Sequence, residues 1–67
     1  MDIHRRLARN LVKLRAERGW SQEDLADEAG LHRTYVSGIE RGVRNPTLSI
    51  LERLMKALKV GAAKLLD

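Results

Sequence analysis

Four glycines and one proline limit what this chain can become. Gly19, Gly30, Gly42 and Gly61, with Pro46 between the last two, cut its 67 residues into short pieces. Glycine accepts the left-handed backbone that follows a helix end, and proline disfavours helix at the residue before it. Between these breaks, apolar residues recur at helical spacings of three and four. Helices shorter than ~12–15 residues are marginal alone in water. Each piece must therefore bury its apolar stripe against the others, which predicts an all-α domain.

The pieces read in order as five helices. Ile3, Leu7, Leu11 and Leu14 place the first over roughly 3–18, with Arg5, Arg6, Arg9 and Lys13 between them. Ser21 restarts the chain after Gly19 as an N-cap, with Asp24 in a near capping-box position. Trp20, just before the cap, is placed as a hydrophobic staple. Leu25, Ala26 and Ala29 line the inner face of this second helix, and Gly30 ends it. A third helix starts at about His32, buries Tyr35, Val36 and Ile39, and closes at Gly42. After the loop "VRNP", Thr47 can cap a fourth helix with Leu48, Leu51, Met55 and Leu58 on one face and Leu54 beside it. Val60-Gly61 breaks that pattern, and "AAKLL" makes a last short helical turn. The expectation is one compact domain over residues 1–67.

Composition narrows the function. The chain has no cysteine, so disulfides and thiolate metal sites are closed to it. His4 and His32 lack partners at ligand spacing, so no metal and no cofactor is expected. No Ser, His and acid arrangement and no cleft-forming carboxylate pair suggests catalysis, and the chain reads as a non-enzyme. No apolar run approaches the ~20 residues of a membrane span, and "MDIHRRLARN" lacks the apolar core of a signal peptide. The expected location is the cytoplasm. Thirteen basic against nine acidic residues give a net charge of +4, and nine of the thirteen are arginine. Arginine's planar fork suits phosphates and guanine edges, so this balance favours a nucleic-acid partner.

The second and third helices carry the sharper signal, at about 21–40. A DNA-reading helix-turn-helix needs two short helices crossing steeply through a three- to four-residue turn. Close crossing requires a small residue, here Ala26, and a glycine turn, here Gly30. Leu31, Val36 and Ile39 supply apolar anchors, and the outer face of the third helix keeps polar reach. Gln22 stands in the first turn of the second helix, where its amide can reach a phosphate. An ordinary helical hairpin seldom reproduces this joint spacing.

The stretch "SQEDLADEAGLHRTYVSGIERGVRNP" resembles the lambda-repressor-like, xenobiotic-response-element type of bacterial regulator. The resemblance runs on through "LSILERLMKAL", and "RTYVSGIERGVRN" is most similar to restriction–modification controller proteins. It implies a dimer that binds double-stranded DNA at a palindromic operator and regulates transcription. Gln22 would bind a phosphate; Arg33, Thr34 and Ser37 would face base edges or the neighbouring backbone; Arg44 and Asn45 would contact phosphates. Gly38 stands where relatives carry a long base-reading side chain. His32 is open between weak cap, phosphate contact and base contact. The resemblance also sets Arg15 beside Glu40 as a structural ion pair. An antitoxin-type partner-binding module and a phage repressor or Cro-like regulator are alternatives on the same fold.

Three expectations remain. Tyr35 is either a half-buried core residue with its hydroxyl at the rim or a DNA contact. Leu54, Leu58, Leu65 and Leu66 exceed what short helices can bury alone, so they are assigned to a homodimer interface. Glu23, Asp24, Asp27 and Glu28 form an acidic face, a solvated surface or, as the resemblance offers, a contact for RNA polymerase.

Overall fold

The computed structural model describes residues 2–67 and contains five helices, with no strand among them. These are α1 (Ile3–Glu17), α2 (Gln22–Ala29), α3 (Arg33–Glu40), α4 (Leu48–Leu58) and α5 (Ala62–Leu66). Side-chain caps start three of them. The Asp2 carboxylate accepts from the Arg5 amide, which holds its pKa below the ordinary value. Ser21 and Asp24 form a complete capping box, each side chain accepting the other's backbone N–H. Thr47 Oγ1 accepts from the Ile50 amide at 3.2 Å. Each such cap satisfies a backbone amide that the first turn of its helix leaves without an intrahelical partner.

The breaks work by two different routes. Gly30 ends α2 at φ +69°, and the Leu31 amide reaches back to the Ala26 carbonyl at 2.8 Å. A side chain there would be strained in that backbone region. Gly42 does the same after α3, at φ +76°. The end of α4 departs from the sequence expectation. Lys59, not Gly61, adopts the left-handed conformation, at φ 58° and ψ 46°. Gly61 instead stands extended, as the residue that starts α5.

One apolar core draws on every helix: Leu7, Leu11 and Leu14 from α1, Leu25, Ala26 and Ala29 from α2, Val36 and Ile39 from α3, Leu54 and Leu58 from α4, and Leu65 from α5. Full burial of a leucine is worth about 1.5–3 kcal/mol, so these side chains supply the main drive to fold. Trp20, Leu31 and Tyr35 pack against its edge. Two corrections follow for α4 and the C-terminal leucines. Leu48 is 84% exposed, so the inner face of α4 runs through Leu54 and Leu58 instead. Leu54, Leu58 and Leu65 have no exposed surface in the single chain and cannot form a dimer interface. Of these four C-terminal leucines, only Leu66 keeps partial exposure. A count of apolar residues does not show how completely α5 closes over α1.

Polar side chains of α1 fasten that closure. Asn10, buried on the core side, donates to the Leu65 carbonyl at 3.0 Å. Arg6 donates to the Leu66 carbonyl, while Arg18, the C-cap of α1, ties the ends of α1 and α4 through the Leu14 and Leu58 carbonyls. The last carbonyls of a helix lack intrahelical partners, and these donors satisfy them.

A second set of bonds fixes α3 to the scaffold. Arg15 Nε donates to Glu40 Oε2 at 2.8 Å, and Arg15 Nη2 to Glu40 Oε1 at 3.0 Å. The third nitrogen, Nη1, donates to the Trp20 carbonyl at 2.9 Å. Gln22 Nε2 donates to the same Glu40 Oε1 at 2.8 Å. The Glu40 side chain is 5% exposed and that of Arg15 18%. The bond to Glu40 raises the Arg15 pKa above its ordinary value, so the guanidinium keeps its charge. This cluster ties the end of α1, the start of α2 and the end of α3 at one point. Removing one member of a buried pair strands the other charge, at a cost of ~3–5 kcal/mol. Arg15→Met should lower stability to urea by about that much, and Arg15→Met with Glu40→Leu should recover much of it. An Arg15→Met protein as stable as the parent would show that the cluster does not hold the fold.

Candidate nucleic-acid interface

The residues singled out in the sequence fall on α3, its two flanking turns and the start of α2. His32 is the N-cap of α3, but its imidazole makes no capping bond and lies exposed. The weak-cap alternative for His32 is therefore ruled out. Arg33 and Thr34 occupy the first turn of α3 and are both exposed. With His32 they line one wall of an open groove of about 460 Å³, and Glu23, Ala26 and Asp27 of α2 line the other. Arg33 forms no ion pair among the described residues. Its guanidinium keeps its hydrogen-bonding donors for a ligand.

Ser37 is half-buried one turn further along, and its carbonyl accepts from the Arg41 amide. Val36 and Ile39 alternate with these polar positions and point into the core. That division gives α3 an inward face for attachment and an outward face for contact. Gln22 lies where α2 begins, but one of its amide hydrogens is committed to Glu40. Its second N–H and its carbonyl oxygen remain for an outside partner. Asn45 is exposed in the loop before Pro46.

Arg44 departs from a simple loop position. The Val43 and Arg44 amides both donate to the Gly38 carbonyl, at 3.0 and 3.2 Å. These bonds fold the chain back over α3. The guanidinium carbon of Arg44 lies 4.8 Å from the centre of the Tyr35 ring, a cation–π stack. Tyr35 is half-buried, packing against the core and carrying Arg44 on its outer face. Gly38, in sequence the place of an absent base-reading side chain, is buried beneath the Arg44 stem. Sequence reasoning passes over this packing. The available signal is the glycine itself, since glycine inside a short helix costs ~1 kcal/mol against alanine and calls for a packing reason.

The electrostatics follow from the same placements. Glu40 is the one acid between Arg33 and Arg44 in sequence, and its carboxylate is bound by Arg15 and turned from solvent. Arg33, Arg41 and Arg44 are exposed. The outward side of α3 is thus a surface of unneutralised arginines with Thr34, Ser37 and Asn45 among them. Such a surface suits a polyanion with hydrogen-bonding edges. Among the described residues no three His, Cys, Asp or Glu side chains gather as a metal site, and no helix is long and apolar enough to cross a membrane.

Known proteins are similar to this chain in sequence and fold. The helix-turn-helix family profile matches residues 11–65. The control protein C.SmaI of Serratia marcescens is 50% identical over 66 residues, covering 98% of this chain and 79% of its own length. A hypothetical transcription factor of Neisseria meningitidis serogroup B is 48% identical over 65 residues, covering 97% of this chain. This chain spans 61% of that relative's length. A crystal structure of the restriction–modification controller protein C.Esp1396I, a tetramer in complex with its natural 35 base-pair operator, superposes with a TM-score of 0.87 at 42% identity. That match covers 97% of this chain and 86% of the other. The chain belongs to the helix-turn-helix family, and restriction–modification controller proteins are among its relatives.

Proposed function

We propose that the protein is a transcription regulator of the restriction–modification controller type that binds a palindromic DNA operator as a homodimer. The observation that carries this reading is the outward face of α3, where Arg33 and Thr34 stand unpaired at the helix start and Glu40 is withdrawn into the scaffold. The reading is supported by relatives that are control proteins, one of them crystallised on its operator. The role is binding, without catalysis, and its place is where the DNA is, in the cytoplasm. RNA polymerase is a further partner in this reading. Glu23 and Asp27 stay exposed on α2, beside the groove that leads to Arg33.

Recognition divides between reading and anchoring. The start of a recognition helix enters the major groove, and Arg33 lies there. Its fork can bond guanine O6 and N7 together, a contact worth ~1–3 kcal/mol of discrimination. Thr34 and Ser37 offer hydroxyls to base edges or backbone, and His32 and Tyr35 stand at the margin. Gln22, Arg44 and Asn45 anchor phosphates, which add affinity without sequence information.

The dimer uses a different surface from the core leucines. Met55 and Val60 are half-buried and, with Gly61 and Ala62, line a groove of about 450 Å³ at the α4–α5 junction that the charged residues Glu52, Lys56 and Lys59 also line. Leu66 adds a half-buried side chain on α5. Two-fold pairing through this region would set the two recognition helices ~34 Å apart, one turn of the duplex. Met55→Glu should therefore yield a monomer in sedimentation while leaving the fold intact. A Met55→Glu protein that dimerises like the parent, or a parent that is monomeric with and without DNA, would contradict this assignment.

Binding to DNA upstream of the protein's own gene, and to its single-base variants across a salt series, tests the division of labour. Arg33→Ala should relax preference at one base pair per half-site. Arg44→Ala should weaken all sequences alike and lower the salt slope by ~0.9 for each phosphate it no longer neutralises. Altered base preference in Arg44→Ala, with none in Arg33→Ala, would reverse the two roles.

A further inference from the structure

The packing of Arg44 on α3 has a geometry that the anchoring role alone does not require. A Cβ built on Gly38 would lie 3.2 Å from Arg44 Cβ, 3.4 Å from Nε and 3.7 Å from Cδ. A side chain at position 38 would therefore press on the Arg44 stem, which would have to give by a few tenths of an ångström. Its Cβ is held in place by the backbone, because the Arg44 amide is bonded to the Gly38 carbonyl at 3.2 Å. A methyl group at 38 cannot be relieved by moving the guanidinium tip alone. At the other end of the side chain, the Tyr35 ring lies beneath the guanidinium. Three groups thus define one path: Gly38 admits the stem, the Gly38 carbonyl fixes its root, and Tyr35 receives its head.

We propose that Gly38 and Tyr35 are positioning residues that form a seat for Arg44, turning a loop arginine into a fixed member of the DNA-facing surface of α3. This rests on the DNA-binding reading above and adds to it a reason for glycine in the middle of a recognition helix. An arginine on a free loop must be ordered when it meets a phosphate, and that ordering reduces affinity. A guanidinium already stacked on Tyr35 loses less. The seat also explains why no long side chain stands at position 38. A side chain there and the seated Arg44 would compete for the same space, so this part of the surface is held by the arginine that arrives from the loop, as a phosphate anchor.

The seat is testable in the free protein and again on DNA. In solution the δ-methylene protons of Arg44 should be shifted upfield by the Tyr35 ring. The shift should persist in Tyr35→Phe, vanish in Tyr35→Leu and shrink in Gly38→Ala. On promoter DNA, Gly38→Ala should weaken binding about two- to fivefold, the range of an exposed cation–π contact. The same change made in an Arg44→Ala background should alter binding less than twofold. Alanine is favoured over glycine within a helix, and the tight contact with Arg44 Cβ offsets that gain, so the thermal midpoint of Gly38→Ala should stay close to the parent's while its binding falls. A general structural defect would move both downward. Absence of the upfield shift in the parent would overturn the seat, whatever the protein does on DNA. Equal weakening by Gly38→Ala in both backgrounds would also overturn it, since the methyl would then act without Arg44. A parent protein that shows the upfield shift but retains no promoter DNA would leave the seat standing in the free protein and overturn both the DNA-binding reading and the role given to the seat.

Discussion

The carboxylate of Glu40 is the point on which this architecture turns. It receives two bonds from Arg15 and one from Gln22, while Arg15 spends its remaining nitrogen on the Trp20 carbonyl. Neither helix of the recognition pair is long enough to set its own angle, since α2 and α3 have eight residues each. The apolar anchors Val36 and Ile39 hold α3 to the core, but apolar contact is non-directional. The bidentate ion pair adds direction, because two parallel N–H···O bonds fix both distance and plane. One cluster therefore sets how the recognition helix stands against α1 and α2. It also turns the one acid between Arg33 and Arg44 in sequence away from the surface proposed to meet DNA.

The rest of the molecule presents α3 from behind. The capping box at Ser21 and Asp24 starts α2 where Gln22 can reach Glu40, and the left-handed turn at Gly30 swings α3 across it. Behind both, α1 and α5 close the core through Leu7, Leu11 and Leu65, with Asn10 bonded to the Leu65 carbonyl. A chain this small buries a modest share of its surface, so the partly exposed apolar residues of α4 and α5 have stability to gain from a second copy. In the proposed reading, folding, pairing and recognition draw on three separate faces of the same five helices.

Local chemistry was legible in the sequence, and distant contact much less so. Gly30, Ser21, Asp24 and Thr47 act within a few residues of their own positions, and the turns and caps they imply are those that the structure contains. Lys59 was not legible because a left-handed lysine has no sequence mark, and Gly61 two residues on is the stronger break signal. Leu54, Leu58 and Leu65 were misplaced because spacing shows which residues share a face, not whether the partner face lies in the same chain. Leu48 follows the helical spacing and is still 84% exposed, while Ile50 and Leu51 in the same turn pack against the core. Within the site, the exposed start of α3 followed from its polar composition. The stack of Arg44 on Tyr35 joins residues nine apart through a turn whose shape only the folded chain defines. The pairing of Arg15 with Glu40 was implied by family resemblance, because nothing local to either residue points to the other.

The central claim is that α3 enters the major groove by its N-terminal end, once per half-site. Methylation interference on DNA from the protein's own promoter tests this most directly, because methylation at guanine N7 blocks the major-groove edge itself. The account predicts interference at guanines in two patches about 10 base pairs apart, related by the operator's two-fold axis. Binding that tolerates methylation at every guanine N7, or interference confined to minor-groove adenine N3, would contradict it.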